Sequence, residues 1–231
     1  MQKPKEVKIV CKYMVNILTD QNSIANHYIA ELRNVEMQAD RMRFRRNLER
    51  LGEIFGYEIS KGLDFEESTI STPLGEAQTE LIREQPVLVT IIRAGLPLHQ
   101  GLLHVFDQAD SGFVAAYRKT KKSGEFEIHK EYQITPDLNG RIVVLSDPMI
   151  ATGRSIVLIC KELMAQFKIK ELHVVAAIAS EEGLEHVKAY VPGCKLWVGA
   201  VDDELTSKAY IVPGLGDAGD LAFGSKAGDE H

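Results

Sequence analysis

The segment Ser146-Asp147-Pro148-Met149-Ile150-Ala151-Thr152-Gly153-Arg154-Ser155 holds the densest set of residues able to do chemistry. It follows the apolar run Ile142-Val143-Val144-Leu145 and leads into a helical pattern. Backbone N–H groups at a helix start, with the hydroxyls of Thr152 and Ser155, make a cradle for phosphate oxygens. Asp147, delivered at a strand end, can accept hydrogen bonds from sugar hydroxyls. An N-capped helix after a strand is the competing reading of the same pattern. A Walker loop is excluded, because no Gly-Lys-Ser/Thr is present.

A second candidate is Ile91-Ile92-Arg93-Ala94-Gly95-Leu96. Small residues let the backbone approach a ligand, and Arg93 offers a planar fork of donors to phosphate oxygens. Pro97 is tolerated in a first helical turn, and His99 is expected on the helix surface rather than as an acid–base group. Arg118 ends the run Phe113–Tyr117, and Lys119, Lys121 and Lys122 precede Ser123-Gly124 and the alternating Phe126 and Ile128. That pattern predicts a β-hairpin arm, either a solvated hairpin or a mobile hood that keeps water from a reactive sugar. The third candidate is Tyr210-Ile211-Val212-Pro213-Gly214-Leu215-Gly216-Asp217-Ala218-Gly219-Asp220. Its glycines satisfy the dinucleotide fingerprint literally. The fingerprint also needs a helix, a second strand and a later acid, for which the residues up to His231 leave no room.

These loops need a frame. Short apolar runs at Val87–Ile92, Phe113–Tyr117, Ile142–Leu145, Leu172–Ala179 and Leu196–Val201 alternate with helical patterns. Such alternation predicts an α/β fold with a mostly parallel twisted sheet flanked by helices. Ligands of such sheets sit beyond the carboxyl ends of the strands, where the candidate loops lie. Upstream, Asp20 to Arg33 predicts a short helix capped by Asp20 or Asn22. Val35 to Phe55 predicts a longer one, striped by Met42, Leu48, Leu51, Ile54 and Phe55 and ended by Gly56. Its Arg41, Arg43, Arg45, Arg46 and Arg50 form either an anion or RNA patch or, the preferred reading, a solvated or subunit-facing surface.

The net charge of −6 means that positive charge for a polyphosphate ligand must be concentrated locally, and it argues against general nucleic-acid binding. Cys11, Cys160 and Cys194 are scattered without zinc-ligand spacing and are expected to be buried free thiols in a reducing cytoplasm. The start, Met1 to Lys12, is too charged for a signal peptide, and no apolar stretch is long enough to span a membrane.

The Asp147–Ser155 segment resembles the phosphoribosyl pyrophosphate (PRPP) loop of type I phosphoribosyltransferases. Its single acid followed by Pro-Met-x-Ala-Thr-Gly is similar to the uracil branch. The Arg93-Ala94-Gly95 turn resembles that family's pyrophosphate loop, Arg118 its second PRPP arginine, and Tyr210–Gly224 its uracil-binding segment. The resemblance runs from about Ile17 to Gly224. It implies one phosphoribosyltransferase domain over 1–231, with N-terminal helices (20–56), core (87–201), hairpin arm (118–133) and a C-terminal base-binding hood segment (209–224).

The resemblance further implies uracil and PRPP as substrates, giving UMP and pyrophosphate in pyrimidine salvage. Asp147 would contact the ribose; Ala151, Thr152, Gly153, Arg154 and Ser155 would hold the 5′-phosphate. Arg93, Ala94, Gly95 and Arg118 would complete the PRPP site. Tyr210, Ile211, Gly216, Asp217 and Ala218 would face uracil, with Ile211, Gly216 and Ala218 reading it through main-chain atoms; Asp217, the candidate catalytic carboxylate, would also lie toward PRPP, positioning metal-bound water. Mg²⁺ would arrive on PRPP with no direct protein ligand, and the partners would be other copies of the chain in a homodimer or higher homo-oligomer. Arg154 stands where the family more often has glycine, a substitution that disfavours positive φ and adds a cation. Two alternatives remain: a pyrimidine-operon RNA-binding attenuator, whose loop Thr152-Gly153-Arg154 resembles, and a catalytically silent relative.

Overall fold

Apolar runs broken by helical patterns fold here into one large sheet with helices packed against it. The computed structural model describes residues 15–120 and 126–225, and for 116–120 and 126–131 the backbone alone. A short strand β1 (Val15–Ile17) and a 3-10 turn (Leu18–Asp20) precede helices α1 (Ile24–Arg33) and α2 (Arg41–Ser60). A hairpin follows, β2 (Phe65–Thr72) and β3 (Gly75–Ile82). Next come β4 (Val87–Ile92), α3 (Leu96–Val105), β5 (Ser111–Thr120), β6 (Phe126–Ile134) and β7 (Ile142–Ser146). The two-residue β8 (Met149–Ile150) leads to α4 (Arg154–Gln166), β9 (Glu171–Ser180), α5 (Glu181–Tyr190) and β10 (Lys195–Asp202). Short strands β11 (Glu204–Leu205) and β12 (Ile211–Val212) and helix α6 (Ala218–Phe223) complete the described chain.

The sheet order is β1-β10-β9-β7-β4-β5-β6, with β8 added beside β9. Only β5 and β6 pair antiparallel within it. Successive strand residues point to opposite faces. Leu88, Val144, Val175 and Ala177 enter one core with α1, α2, α3 and α6. Val87, Val89, Val143, Leu145 and Val174 enter the other, under α4 and α5. Both faces are therefore covered, which is why these strands read as unbroken apolar runs. The carboxyl ends of β4, β7, β9 and β10 share one edge, and the candidate loops leave from it.

Several expectations need correction. Helix α1 begins at Ile24, not near Asp20, because Ser23 and Asn26 form a reciprocal capping box. Helix α2 begins at Arg41, since the Asp40 carboxylate accepts from Met42 N (2.9 Å) and Arg43 N (3.1 Å). It continues through Gly56 to Ser60, because that glycine is a close-packing position. A Cβ there would stand 2.9 Å from Val105 Cβ, on α3. The buried stripe is Phe44, Leu48, Leu51, Phe55 and Ile59, while Met42 is exposed. The β2–β3 hairpin was not expected from the sequence; both its faces are largely exposed. Its signal was the turn Thr72-Pro73-Leu74-Gly75, with proline second and glycine fourth.

Candidate active site

Strand β7 is buried throughout and delivers Asp147 to the sheet edge, where it is half-buried. Asp147 N donates to Val175 O at 3.1 Å, and its carboxylate accepts from Met149 N at 3.3 Å. The residues beyond are no loose turn. Pro148 O accepts from Ala177 N (3.0 Å) and Ile178 N (3.1 Å), and Met149-Ile150 pairs with β9. Ser180 Oγ donates to Ala151 O at 2.5 Å and accepts from Gly183 N at 2.9 Å. The loop is thus bolted to β9 and to the start of α5.

Gly153 N-caps α4 with φ +70°, and no side chain bonds to the helix start. A Cβ at Gly153 would stand 2.6 Å from Gly183 O. Glycine is required here twice over, by backbone conformation and by space. The first N–H groups of α4 remain directed out of the helix at the positive end of its dipole, which suits a phosphate. Thr152 and Ser155 are half-buried beside them, and Arg154 is exposed. Since the positive φ falls on Gly153 and Arg154 is already helical, arginine at that position carries no backbone strain.

The loop after β4 packs against this one. Thr90 Oγ1 donates to Ser146 O at 3.1 Å. A Cβ on Gly95 would collide with Thr90 Oγ1 and stand 2.9 Å from Ser146 O, so only glycine fits. The Ile92–Arg93 peptide is cis, as is Val212–Pro213. Arg93 Nη2 reaches Asp220 Oδ1 (3.4 Å) and Gly224 O (3.3 Å). Ala94 borders Gly219, whose outward Cβ position lies 3.9 Å from Ala94 Cβ. The turn expected to grasp pyrophosphate therefore touches the C-terminal segment directly.

That segment leaves β10 through the antiparallel pair β11–β12. Gly214 (φ +57°) and Gly216 (φ +94°) shape the following turn. Asp217 caps α6, accepting from Asp220 N at 3.0 Å. Ile211, Leu215, Ala218 and Ala222 are buried in the first core, and Tyr210 is exposed. From β10 to β4 the segment spans three inter-strand steps, roughly 14 Å. In sheet order the Asp147–Ser155 loop lies between those two strands. Two candidate loops and the glycine segment thus frame one stretch of the carboxyl edge.

The remaining expectations divide. Arg118 lies on β5 opposite Ile128 of β6, so the strands of an antiparallel arm are present. The Arg118 side chain, the Lys121–Gly124 tip and Cys11 lie outside the described residues. Cys160 and Cys194 are free and buried. Among the described residues no helix is long and apolar enough to cross a membrane. His99, expected at the surface, is 3% exposed in the core, 5.4 Å from the Phe113 ring centroid, and burial lowers its pKa to about 4. Four of the five arginines of α2 have protein partners: Arg43 pairs with Glu31, Arg46 with Glu49 and Glu53, and Arg50 with Asn47. Arg45 Nη1 donates to Ala222 O at 2.7 Å, holding α6. The sequence reading missed Asp220, the partner of Arg93; its signal was the spacing Asp217-x-x-Asp220 at a helix start.

The family model described as uracil phosphoribosyltransferase matches residues 18–225. The uracil phosphoribosyltransferase of Porphyromonas gingivalis is 44% identical over 207 residues, covering 89% of this chain and 96% of that one. The solved structure of the AQ2163 protein from Aquifex aeolicus has a TM-score of 0.81 at 30% identity, covering 93% of this chain and 99% of that one. The orotate phosphoribosyltransferase of Mycobacterium tuberculosis in complex with PRPP shares the fold, with a TM-score of 0.50 at 11% identity over 82% of this chain and 96% of that one. The glycine-cornered loops thus sit in a fold and a sequence pattern held in common, and the chain belongs to the uracil phosphoribosyltransferase family.

Proposed function

We propose that this chain transfers the phosphoribosyl group of PRPP to N1 of uracil, giving UMP and pyrophosphate in pyrimidine salvage. The observation that carries the reading is the contact of the Arg93-Ala94-Gly95 turn with the Gly219–Gly224 segment. It joins an anion-binding turn to a main-chain surface able to read a base, beside the uncapped start of α4.

In this reading the first turn of α4, with Thr152, Gly153, Arg154 and Ser155, holds the 5′-phosphate, and Ala151 borders it. Asp147 accepts from ribose hydroxyls. Arg93, the backbone of Ala94 and Gly95, and Arg118 hold the pyrophosphate. The C1′–O bond to pyrophosphate breaks as the N1–C1′ bond forms, and the N1 proton passes to solvent. The protein aligns the reactants and stabilises charge on the departing group. Uracil presents acceptor, donor, acceptor along O2, N3–H and O4. Main-chain groups at Ile211, Gly216 and Ala218, beside Tyr210, would match that order, and cytosine would leave them unpaired.

Asp147 and Asp217 give the edge an all-oxygen donor set, which suits a hard cation reached through water. Mg²⁺ entering on PRPP would neutralise pyrophosphate charge, with Asp217 positioning its water. A homodimer or higher assembly in the cytoplasm completes the reading. It is supported by the β2–β3 hairpin, which leaves Phe65, Ile70, Leu74 and Leu81 exposed, and by two buried free thiols. A steady-state assay with PRPP, Mg²⁺ and each of uracil, cytosine, orotate and hypoxanthine tests the proposal. UMP from uracil alone is expected; preference for another base, or no product, overturns it.

A further inference from the structure

Asp202, the last residue of β10, is 6% exposed. Arg33, the last residue of α1, meets it with both arms of the guanidinium: Nη1 to Oδ2 at 2.7 Å and Nη2 to Oδ1 at 2.7 Å. The pair also grips Gly214. Gly214 N donates to Asp202 Oδ2 at 2.9 Å, and Gly214 O accepts from Arg33 Nη1 at 3.1 Å. Next door, Gln38, with its amide nitrogen turned toward two carbonyls, donates to Leu215 O at 2.8 Å and Leu32 O at 3.2 Å. The main-chain polar groups of Gly214 and the carbonyl of Leu215 are thus held from the α1–α2 corner, two residues and one residue before Gly216.

A largely buried ion pair is weak grounds for stability, because apolar side chains of similar volume often stabilise as much. What this pair supplies is geometry. A bidentate fork fixes the plane of the carboxylate, and a shared oxygen fixes the Gly214 peptide to it. Gly214 has no slack of its own, since a Cβ there would collide with Ile211 O. A base reader made of main-chain groups can reject a wrong base only while its peptides cannot turn. Cytosine carries a donor where uracil carries O4, and a peptide free to rotate could satisfy either.

We propose that Arg33 and Asp202 are positioning residues that lock the base-reading turn and so set the preference for uracil over cytosine. The inference rests on the reading of Tyr210–Ala218 as the base site. Breaking the lock weakens uracil recognition and relaxes selectivity, while PRPP, held by other loops, is little affected.

The test compares Arg33→Met, Asp202→Asn, Arg33→Lys, Gln38→Met and Gly216→Ala with the unaltered full chain. It measures KM for uracil and for PRPP, the inhibition constant of cytosine, and Tm. Arg33→Met and Asp202→Asn should raise the uracil KM about tenfold and narrow the uracil-to-cytosine ratio by a similar factor, with the PRPP KM within about twofold. Arg33→Lys, which keeps the charge without the fork, should fall between, and Gln38→Met should shift the ratio about threefold. A lower Tm with an unchanged uracil-to-cytosine ratio would show a structural role only and overturns the proposal. If Arg33→Met does not fold, unchanged ratios in Arg33→Lys and Gln38→Met overturn it equally. Gly216→Ala strains the reader itself, because Gly216 has φ +94°. If that variant leaves the uracil KM unaltered, the base-site reading fails; if it alone changes the uracil KM, only the lock fails.

Discussion

Nη2 of Arg93 lies 3.4 Å from Oδ1 of Asp220, across 127 positions of sequence, and joins the turn after β4 to the C-terminal helix. The contact is long, and the arginine is 40% exposed, so its worth to stability is small. Its consequence lies in binding. In the proposed function, Asp220 occupies the Arg93 Nη2 that pyrophosphate would take, and its negative charge would stand beside that anion. Asp220→Ala should therefore lower the KM for PRPP, and for pyrophosphate in the reverse reaction, by about threefold. Arg93→Ala should raise both about tenfold or more. A higher KM in Asp220→Ala would show that the carboxylate instead helps to place the arginine on its ligand.

Asp147→Asn separates ligand chemistry from folding. The carboxylate stands at a loop, half-buried, and its bond from Met149 N survives in the amide, which retains an acceptor oxygen. Thermal stability should change by no more than about 1 kcal/mol. An amide is a weaker acceptor for two ribose hydroxyls, so kcat/KM for PRPP should fall about tenfold to a hundredfold. Calorimetry beside steady-state kinetics decides it; equal loss of stability and activity would count against a ribose contact.

What the sequence made readable follows from what each residue must satisfy locally. Val87–Ile92 and Ile142–Leu145 announced buried strands because helices cover both of their faces. The Thr152-Gly153 turn and the Gly214-Leu215-Gly216 run announced themselves through glycines that the observed φ values require. Strand β8 could not be seen, because two residues carry no period. Gly56 resembles a helix stop because composition does not distinguish a terminal glycine from one pressed against Val105. The β2–β3 hairpin shows no apolar alternation because it buries neither face. His99 and the Arg33–Asp202 pair were beyond local reasoning: their surroundings come from elements far away in sequence.

Gly153→Ala should be costly although it adds one methyl group. The residue has φ +70°, and the new Cβ would meet Gly183 O at 2.6 Å, a backbone atom that cannot swing aside. The two penalties together should destabilise the fold by about 2–4 kcal/mol. The same change displaces the start of α4, so the PRPP KM should rise with the loss of stability. Urea unfolding alongside kinetics would show both. A variant of ordinary stability and unaltered PRPP KM would mean that the turn relaxes without strain and is not the phosphate cradle.

His99 gives the protein a built-in sensitivity to acid. Burial among α3 and β5 leaves both ring nitrogens without partners among the described residues and lowers the pKa from 6.5 to about 4. Between those values the unfolded chain binds a proton that the folded chain refuses. Stability therefore falls as pH drops below 6.5, with the full loss, about 3 kcal/mol, reached near pH 4. His173, whose pKa burial also lowers, acts in the same direction. His99→Leu removes the titration and two unsatisfied nitrogens together. It should be more stable by about 1 kcal/mol at pH 7.5, with a margin that widens by about 2 kcal/mol on going to pH 5. Urea unfolding at pH 7.5, 6 and 5 checks this. A margin that stays constant across the three would mean that the folded protein admits the proton, and that the ring finds a partner or solvent when charged.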